Sequence, residues 1–310
     1  EEFMARAISA IAELAKKAIE AIYRLADNHT TDTFMAKAIE AIAELAKEAI
    51  KAIADLAKNH TTEEFMARAI SAIAELARKA IDAIYRLARN HTTDTFMAKA
   101  IEAIAELAKE AIKAIADLAK NHTTEDFMDE AISAIAELAR KAIEAILRLA
   151  SNLTSETYMR KAQEAIEKIA RTAEEAIRDL ARNLEDQERR ERAKSARDEI
   201  KRFAEDARKK IEVLALLKRS REYLKKVALI QLVIAFVFLI LLILLSWRSE
   251  ELIRELEEKG AASEAELARM KQQHMTAYLQ AALTAWEIIS KSVIALLLLQ
   301  QNQLNLELRH

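Results

Sequence analysis

The stretch FMAKAIEAIAELAKEAIKAIADLAKNHTT fills residues 34–62 and returns, unchanged, at residues 96–124. Its apolar positions recur at three- and four-residue intervals, so it reads as one amphipathic helix closed by a short polar loop. Outward from it, Phe3, Phe34, Phe65, Phe96, Phe127 and Tyr158 stand 31 residues apart, each followed by Met. Asn28, Asn59, Asn90, Asn121, Asn152 and Asn183 keep the same period. Units alternate between IYRLA and IADLA, so the repeat is a 62-residue helical hairpin, present three times over residues 1–184. Self-similarity at a fixed period of this length is the signature of a solenoid, in which each unit buries its apolar face only against its neighbours.

The loops are read in the same way. Asn tolerates the left-handed conformation that closes a helix. Thr31, Thr62, Thr93 and Thr124, with Ser155 in the last unit, are placed to accept first-turn amides as N-caps. The acids behind them (Asp32, Glu63, Asp94, Glu125 and Glu156) suit the positive end of a helix. Within the first helix, Ile8, Ile11, Leu14, Ala15, Ala18, Ile19, Ile22 and Leu25 follow the helical period and are expected in the core, as are the Phe-Met pairs. His29, His60, His91 and His122 each fall in a different loop, which gives them a loop role rather than one metal site.

Composition agrees. The 310 residues include one Gly, no Pro and no Cys, so the chain has few turns and neither disulfide nor thiolate chemistry. Charged residues make up 32% with a net charge of −2, interspersed in sign, which gives no reason to expect nucleic acid as a partner. No Gly-rich phosphate loop, nucleophile motif or clustered ligand set is present, so neither an enzyme nor a resident cofactor is expected. The chain opens directly into an amphipathic helix, and no cleavable signal peptide is expected.

With near-identical units, Asn-x-Thr-Thr loops and regular caps, residues 1–184 resemble computationally designed helical-repeat proteins. That resemblance implies a rigid scaffold or an engineered homo-oligomer.

Beyond Asn183 the repeat gives way to a charged linking helix over 185–226, with no Gly, Pro or Asn before Gly260. One helix from there to Lys259 would approach about 110 Å, although a kink near Ser220 is left open. The basic run at 188–194, ERRERAK, reads as a solvated face. Residues 227–247, VALIQLVIAFVFLILLILLSW, are apolar except for Gln231 and Ser246, long enough to cross a bilayer core of about 30 Å. Tyr223 and Trp247 bracket them as interfacial aromatics. Gly260 stops this helix, and Ser263 with Glu266 forms a capping box that starts the return, a turn at 260–263. Counting back, Trp247 lies level with Thr276 and Val227 with Leu296, which places a second span at 276–299. The expected fold is all-α: a helical-repeat solenoid, a long linking helix, and a two-helix transmembrane hairpin over 227–310.

The second span carries a polar stripe. At about 100° per residue, Gln273, Thr276, Gln280, Thr284, Glu287 and Lys291 share one face, continued inward by Ile294 and Leu298. Facing lipid, Glu287 and Lys291 would cost about 2.5–3.5 kcal/mol each, so the chain is expected to assemble as a cyclic homo-oligomer of four to six copies in a bilayer. In one reading the stripe lines a pore, with Glu287 as a ring selecting cations such as Ca²⁺ and Ile294 and Leu298 as a constriction. In the other it is a closed, hydrogen-bonded core in which Glu287 and Lys291 are an i,i+4 pair. The hairpin resembles designed multipass membrane bundles and designed ion channels, which use Glu rings as filters; only Glu287 matches that pattern, and Lys291 departs from it. Lys218, Arg219, Arg221, Lys225 and Lys226 before the first span predict cytoplasmic N- and C-termini.

Overall fold

A computed structural model describes residues 2–27, 31–58, 62–89, 93–120, 124–260 and 263–307, with side chains as far as 298. Among the described residues there are eight helices and no strand: α1 (Glu2–Asp27), α2 (Asp32–Ala57), α3 (Glu63–Arg89), α4 (Asp94–Lys120), α5 (Glu125–Asn152), α6 (Glu156–Ala181), α7 (Gln187–Glu258) and α8 (Glu264–Glu307). They form two compact units, Glu1–Ala215 and Leu216–His310.

In the first unit consecutive helices among α1–α6 pack on each other, and each of α1–α4 also packs on the helix two further on, which makes three two-helix layers. Ala, Leu, Lys and Glu favour the helices themselves. What stacks them is one row per helix at eleven-residue spacing. Phe65, Leu76 and Leu87 on α3, Phe96, Leu107 and Leu118 on α4, and Phe127, Leu138 and Leu149 on α5 are all buried. Each such side chain contributes about 1.5–3 kcal/mol of burial. Fully buried alanines between the rows, such as Ala77, Ala108 and Ala139, let the helix axes approach closely. The first layer departs from expectation: Phe3, Leu14 and Leu25 on α1 are exposed, because no layer precedes them.

The caps work differently from the sequence reading. Thr31, Thr124 and Ser155 make no side-chain cap bond; their backbone carbonyls accept the first-turn amides instead. From α4 onward, hydroxyls or amides at the caps turn to the acid one layer back. Thr93 Oγ1 donates to Asp32 at 2.7 Å, and Thr124 Oγ1 to Glu63. Asp94 accepts from Thr154 N, Thr154 Oγ1 and Ser155 N at 2.8, 2.9 and 2.6 Å. Glu125 accepts from the amides of Glu185 and Asp186 at 2.5 and 2.7 Å. Each acid therefore sits at the N-terminus of its own helix and clamps the cap of the helix two further on. Asn152 ends α5 and Asn183 follows α6 without left-handed backbone, since Gly260 alone has positive φ among the described residues. Asn28, Asn59, Asn90, Asn121 and the four loop histidines lie outside the described residues.

The repeat also continues further than its sequence does. α7 begins at Gln187, and Ala193, Ile200, Ala204, Ala207 and Ile211 are buried in the first unit's core. Ile200 and Ile211 stand 62 residues after Leu138 and Leu149, and Glu199 stands 62 after Glu137. The ion pairs keep step: Lys16–Glu75 (2.6 Å), Arg78–Glu137 (2.5 Å) and Arg140–Glu199 (3.3 Å) form one ladder. The first part of α7 thus occupies the place of a further odd-numbered helix and closes the solenoid. Over the first part of the charged linking helix expected at 185–226, an apolar seam lies among the charges and packs in the core of the first unit. α7 is a single 72-residue element, Gln187–Glu258.

In the second unit, Gly260 turns the chain at φ 57°. Ser263 N and Oγ both donate to Glu266 Oε2, at 3.0 and 2.8 Å, and complete the expected capping box. The Ser263 amide holds the Glu266 carboxyl below its ordinary range. Ser249 Oγ meets His274 Nε2, and Ser292 Oγ donates to Gln231 Oε1 at 3.4 Å. In both pairs the residue numbers total 523, the register that sets Trp247 level with Thr276. Ala228 and Ala235 are buried on α7, with Leu232, Leu239, Leu242, Ser246 and Ser249 half-buried at the same three- and four-residue spacing. This is the narrow heptad stripe of paired helices.

Two outcomes follow. Asp94→Ala leaves two amides without their acceptor, so amide exchange in the first turn of α6 should accelerate roughly 5–30-fold, the equivalent of about 1–2 kcal/mol. Because the folded Glu266 carboxyl is held low, its contribution is present above the ordinary carboxylate range and is lost as pH falls through the lowered value. Exchange in the hairpin turn, corrected for intrinsic rate, should therefore rise in acid, and Glu266→Gln should flatten that dependence.

Candidate functional site

The face of α8 that meets α7 is set by Leu267, Ala285 and Ser292, which are buried, and by His274, Tyr278, Ile289 and Leu296, which are half-buried. At about 100° per residue the stripe from Gln273 to Leu298 lies roughly 140° around the helix from that seam. Gln273, Thr276, Gln280, Thr284, Glu287, Lys291, Ile294 and Leu298 are accordingly all exposed in the hairpin. The hairpin brings them onto one face and covers none of them. A third face holds Met275, Leu279, Trp286, Val293 and Leu297, large and exposed. α7 likewise exposes Leu229, Val233, Phe236, Ile240, Ile243 and Leu244 around its seam. Both helices contain stretches long and apolar enough to cross a membrane, and α7 has the more apolar of the two.

Within the stripe, local bonds satisfy much of the polarity. Thr276 Oγ1 donates to the Gln272 carbonyl and Thr284 Oγ1 to the Gln280 carbonyl, both at 2.9 Å. These i−4 bonds use the hydroxyl hydrogens and leave oxygen lone pairs outward. Lys291 Nζ lies 2.6 Å from Glu287 Oε1, with the two side chains 73% and 63% exposed. The stripe therefore combines outward hydroxyl lone pairs, glutamine amides that both donate and accept, and one internally paired carboxylate and cation. Among the described residues no group of three His, Cys, Asp or Glu could hold a metal ion, so one hairpin supplies a single carboxylate at this level.

Sequence reading passed over Ser292, which is 2% exposed and faces Gln231 across the seam. The signal was available: Gln231 interrupts the apolar run, and the hairpin register places Ser292 level with it. Both lie away from the stripe and tie the two helices together. Ala285, fully buried at the seam, and Thr284, exposed beside it, separate the two roles. Ala285→Leu should overpack the seam by about 1–3 kcal/mol and lower the SDS fraction at which the hairpin opens, whereas Thr284→Leu should leave that midpoint unchanged.

No protein-family model and no curated protein matches the chain. Among solved structures, one described as the computational design of self-assembling cyclic protein homo-oligomers is 75% identical, covering 68% of this chain and 76% of that one, with a TM-score of 0.68. A de novo designed octameric helical-bundle protein is 77% identical over 32% of this chain and 99% of its own, with a TM-score of 0.28. A de novo designed transmembrane nanopore is 48% identical over 76% of this chain and 98% of its own, also at 0.28. With 75% identity and 76% of its length covered, the first shows the family: the chain belongs to the computationally designed proteins that self-assemble into cyclic homo-oligomers.

Proposed function

We propose that the chain forms a homo-oligomeric transmembrane pore that conducts cations, with Ca²⁺ as the favoured ion. One observation carries this reading: the polar stripe on α8 stands exposed, away from the α7 seam, on a helix whose other outward face is large and apolar. In a bilayer the apolar face suits lipid, and the stripe needs water or other copies, since each charge left in lipid costs about 2.5–3.5 kcal/mol. Four to six copies with α8 innermost would meet both demands, with the apolar faces of α7 outermost. Both ends of the chain would lie on the cytoplasmic side.

In that ring each copy contributes one Glu287 carboxylate. Several carboxylates at one level replace part of the hydration shell of a hard divalent ion. Lys291 bonds Oε1 of its own Glu287, which fixes the carboxylate's orientation and leaves its second oxygen available. Ile294 and Leu298 would narrow the pore beyond the ring. Gln280 and Thr284 would line the approach with polar groups, among them the Gln280 amide oxygen and the outward Thr284 lone pairs. The 2.6 Å pair also favours a second reading, a closed bundle in which Glu287 and Lys291 neutralise each other inside a packed polar core.

Planar-bilayer currents separate the two. The purified oligomer should pass cation current with a Ca²⁺ over Na⁺ permeability ratio above one, and Glu287→Gln should bring that ratio towards one while conduction persists. Electrical silence from an intact oligomer would reject the pore in favour of the closed bundle.

A further inference from the structure

We propose that the outer face of α1 is the surface through which copies of this chain assemble, so that the solenoid, not the hairpin alone, holds the oligomer together. The proposal does not depend on the pore reading. It starts from a comparison the chain makes with itself. Phe3, Leu14 and Leu25 occupy on α1 the row that Phe65, Leu76 and Leu87 occupy on α3 and Phe127, Leu138 and Leu149 on α5. The two later rows are at most 4% exposed, whereas Phe3, Leu14 and Leu25 are 80%, 71% and 60% exposed.

The surface around that row is built as an interior one. Ala10 and Ala21 are exposed and Ala7 and Ala18 half-buried, at the same eleven-residue spacing as the large residues. With half-buried Ile11 and Ile22 they make an apolar strip roughly 120° wide. Arg6, Glu13, Lys17 and Arg24 stand to one side of it and none interrupts it. The other end of the solenoid is treated in the opposite way. There α7 supplies Ile200 and Ile211 inward and charged residues outward, which is how a terminal repeat is made soluble.

The occupant follows from what else is exposed. Among the described residues up to 212, the exposed large hydrophobic side chains are Phe3, Leu14 and Leu25. Val213 adds a single exposed side chain near the end of the unit, so among the unit's described residues the apolar strip able to receive the row is the same strip on another copy. A patch that meets the same patch on other copies closes about their shared rotation axis, as a two-fold pair or, where the strips of several copies converge on the axis, as a larger ring. The membership of the chain among cyclic self-assembling proteins fits such a contact. Small residues between the large ones allow α1 helices to approach each other as closely as helices do within the layers.

The test uses the full chain in detergent. Leu14→Arg with Leu25→Arg puts two charges per copy into the strip, at positions that touch nothing essential to the fold. Native mass spectrometry should show the oligomer replaced by monomer, with the circular-dichroism spectrum unchanged; an oligomer of unchanged copy number would overturn the proposal and assign assembly to the hairpin. Since the chain has no cysteine, a second variant gives an independent reading. A thiol introduced by Leu14→Cys in the assembled protein should react with maleimide at least about tenfold more slowly than one introduced by Arg68→Cys, on the exposed face of α3. Equal rates at the two sites would equally overturn it. Neither measurement reads current, so a failed pore and a failed interface are told apart.

Discussion

An apolar stripe on a helix has to be covered, and a helix here has almost nothing but its neighbour with which to cover it. With one Gly and no Pro the chain has little of what loops are made from to fold over exposed surface. Every layer of the solenoid is accordingly a solution to the previous layer's open face and the source of the next one. The row of Phe and Leu at eleven-residue spacing states the demand, and the alanines beside it let the answer come close enough. Termination is then the problem the sequence must solve explicitly. α7 solves it at one end by presenting isoleucine inward and charge outward, and α1 leaves it unsolved at the other.

The hairpin obeys the same constraint with its sign divided. α7 and α8 cover a narrow seam against each other, marked by Ala228, Ala235, Ala285 and Ser292. What remains on α8 is two faces of unlike chemistry, one large and apolar, the other lined by Gln280, Thr284, Glu287 and Lys291. No single solvent suits both. That mismatch links the local geometry of one helix to assembly, because a surface wet on one side and oily on the other is satisfied only inside a larger object.

Much of this was legible in the sequence, for identifiable reasons. The 31-residue spacing of the aromatic-Met pairs fixed six helices and their pairing, since period and apolar pattern agree at every unit. Gly260 and the Ser263–Glu266 box fixed the turn, and from the turn the register followed, as the Ser249–His274 and Ser292–Gln231 contacts bear out. The cap chemistry was not legible. A Thr before a helix ordinarily accepts from its own first turn, and only the stacking distance between layers reveals that an acid 61 residues earlier reaches it first. The closing role of α7 was hidden because charged residues outnumber apolar ones over 187–211, and its few seam positions show their meaning only when aligned 62 residues back. The stripe on α8 was visible as a periodicity, but its orientation away from α7 depended on which residues the seam had already claimed.

The unchanged recurrence of residues 34–62 at 96–124 has a kinetic side. α2 and α4 offer the same apolar surface to any partner, so a collapsing chain cannot tell them apart by local chemistry; only what flanks them, the open row before α1 and the α7 closure after α6, breaks the tie. During folding, an α3 that docks a layer out of step finds nearly native contacts, and in a crowded assembly the equivalent helix of another molecule serves as well as its own. Such degeneracy favours exchange of whole layers between molecules. Sequence divergence among the units of a solenoid thus acts as an address system, and this chain has written most of its addresses only at the two ends.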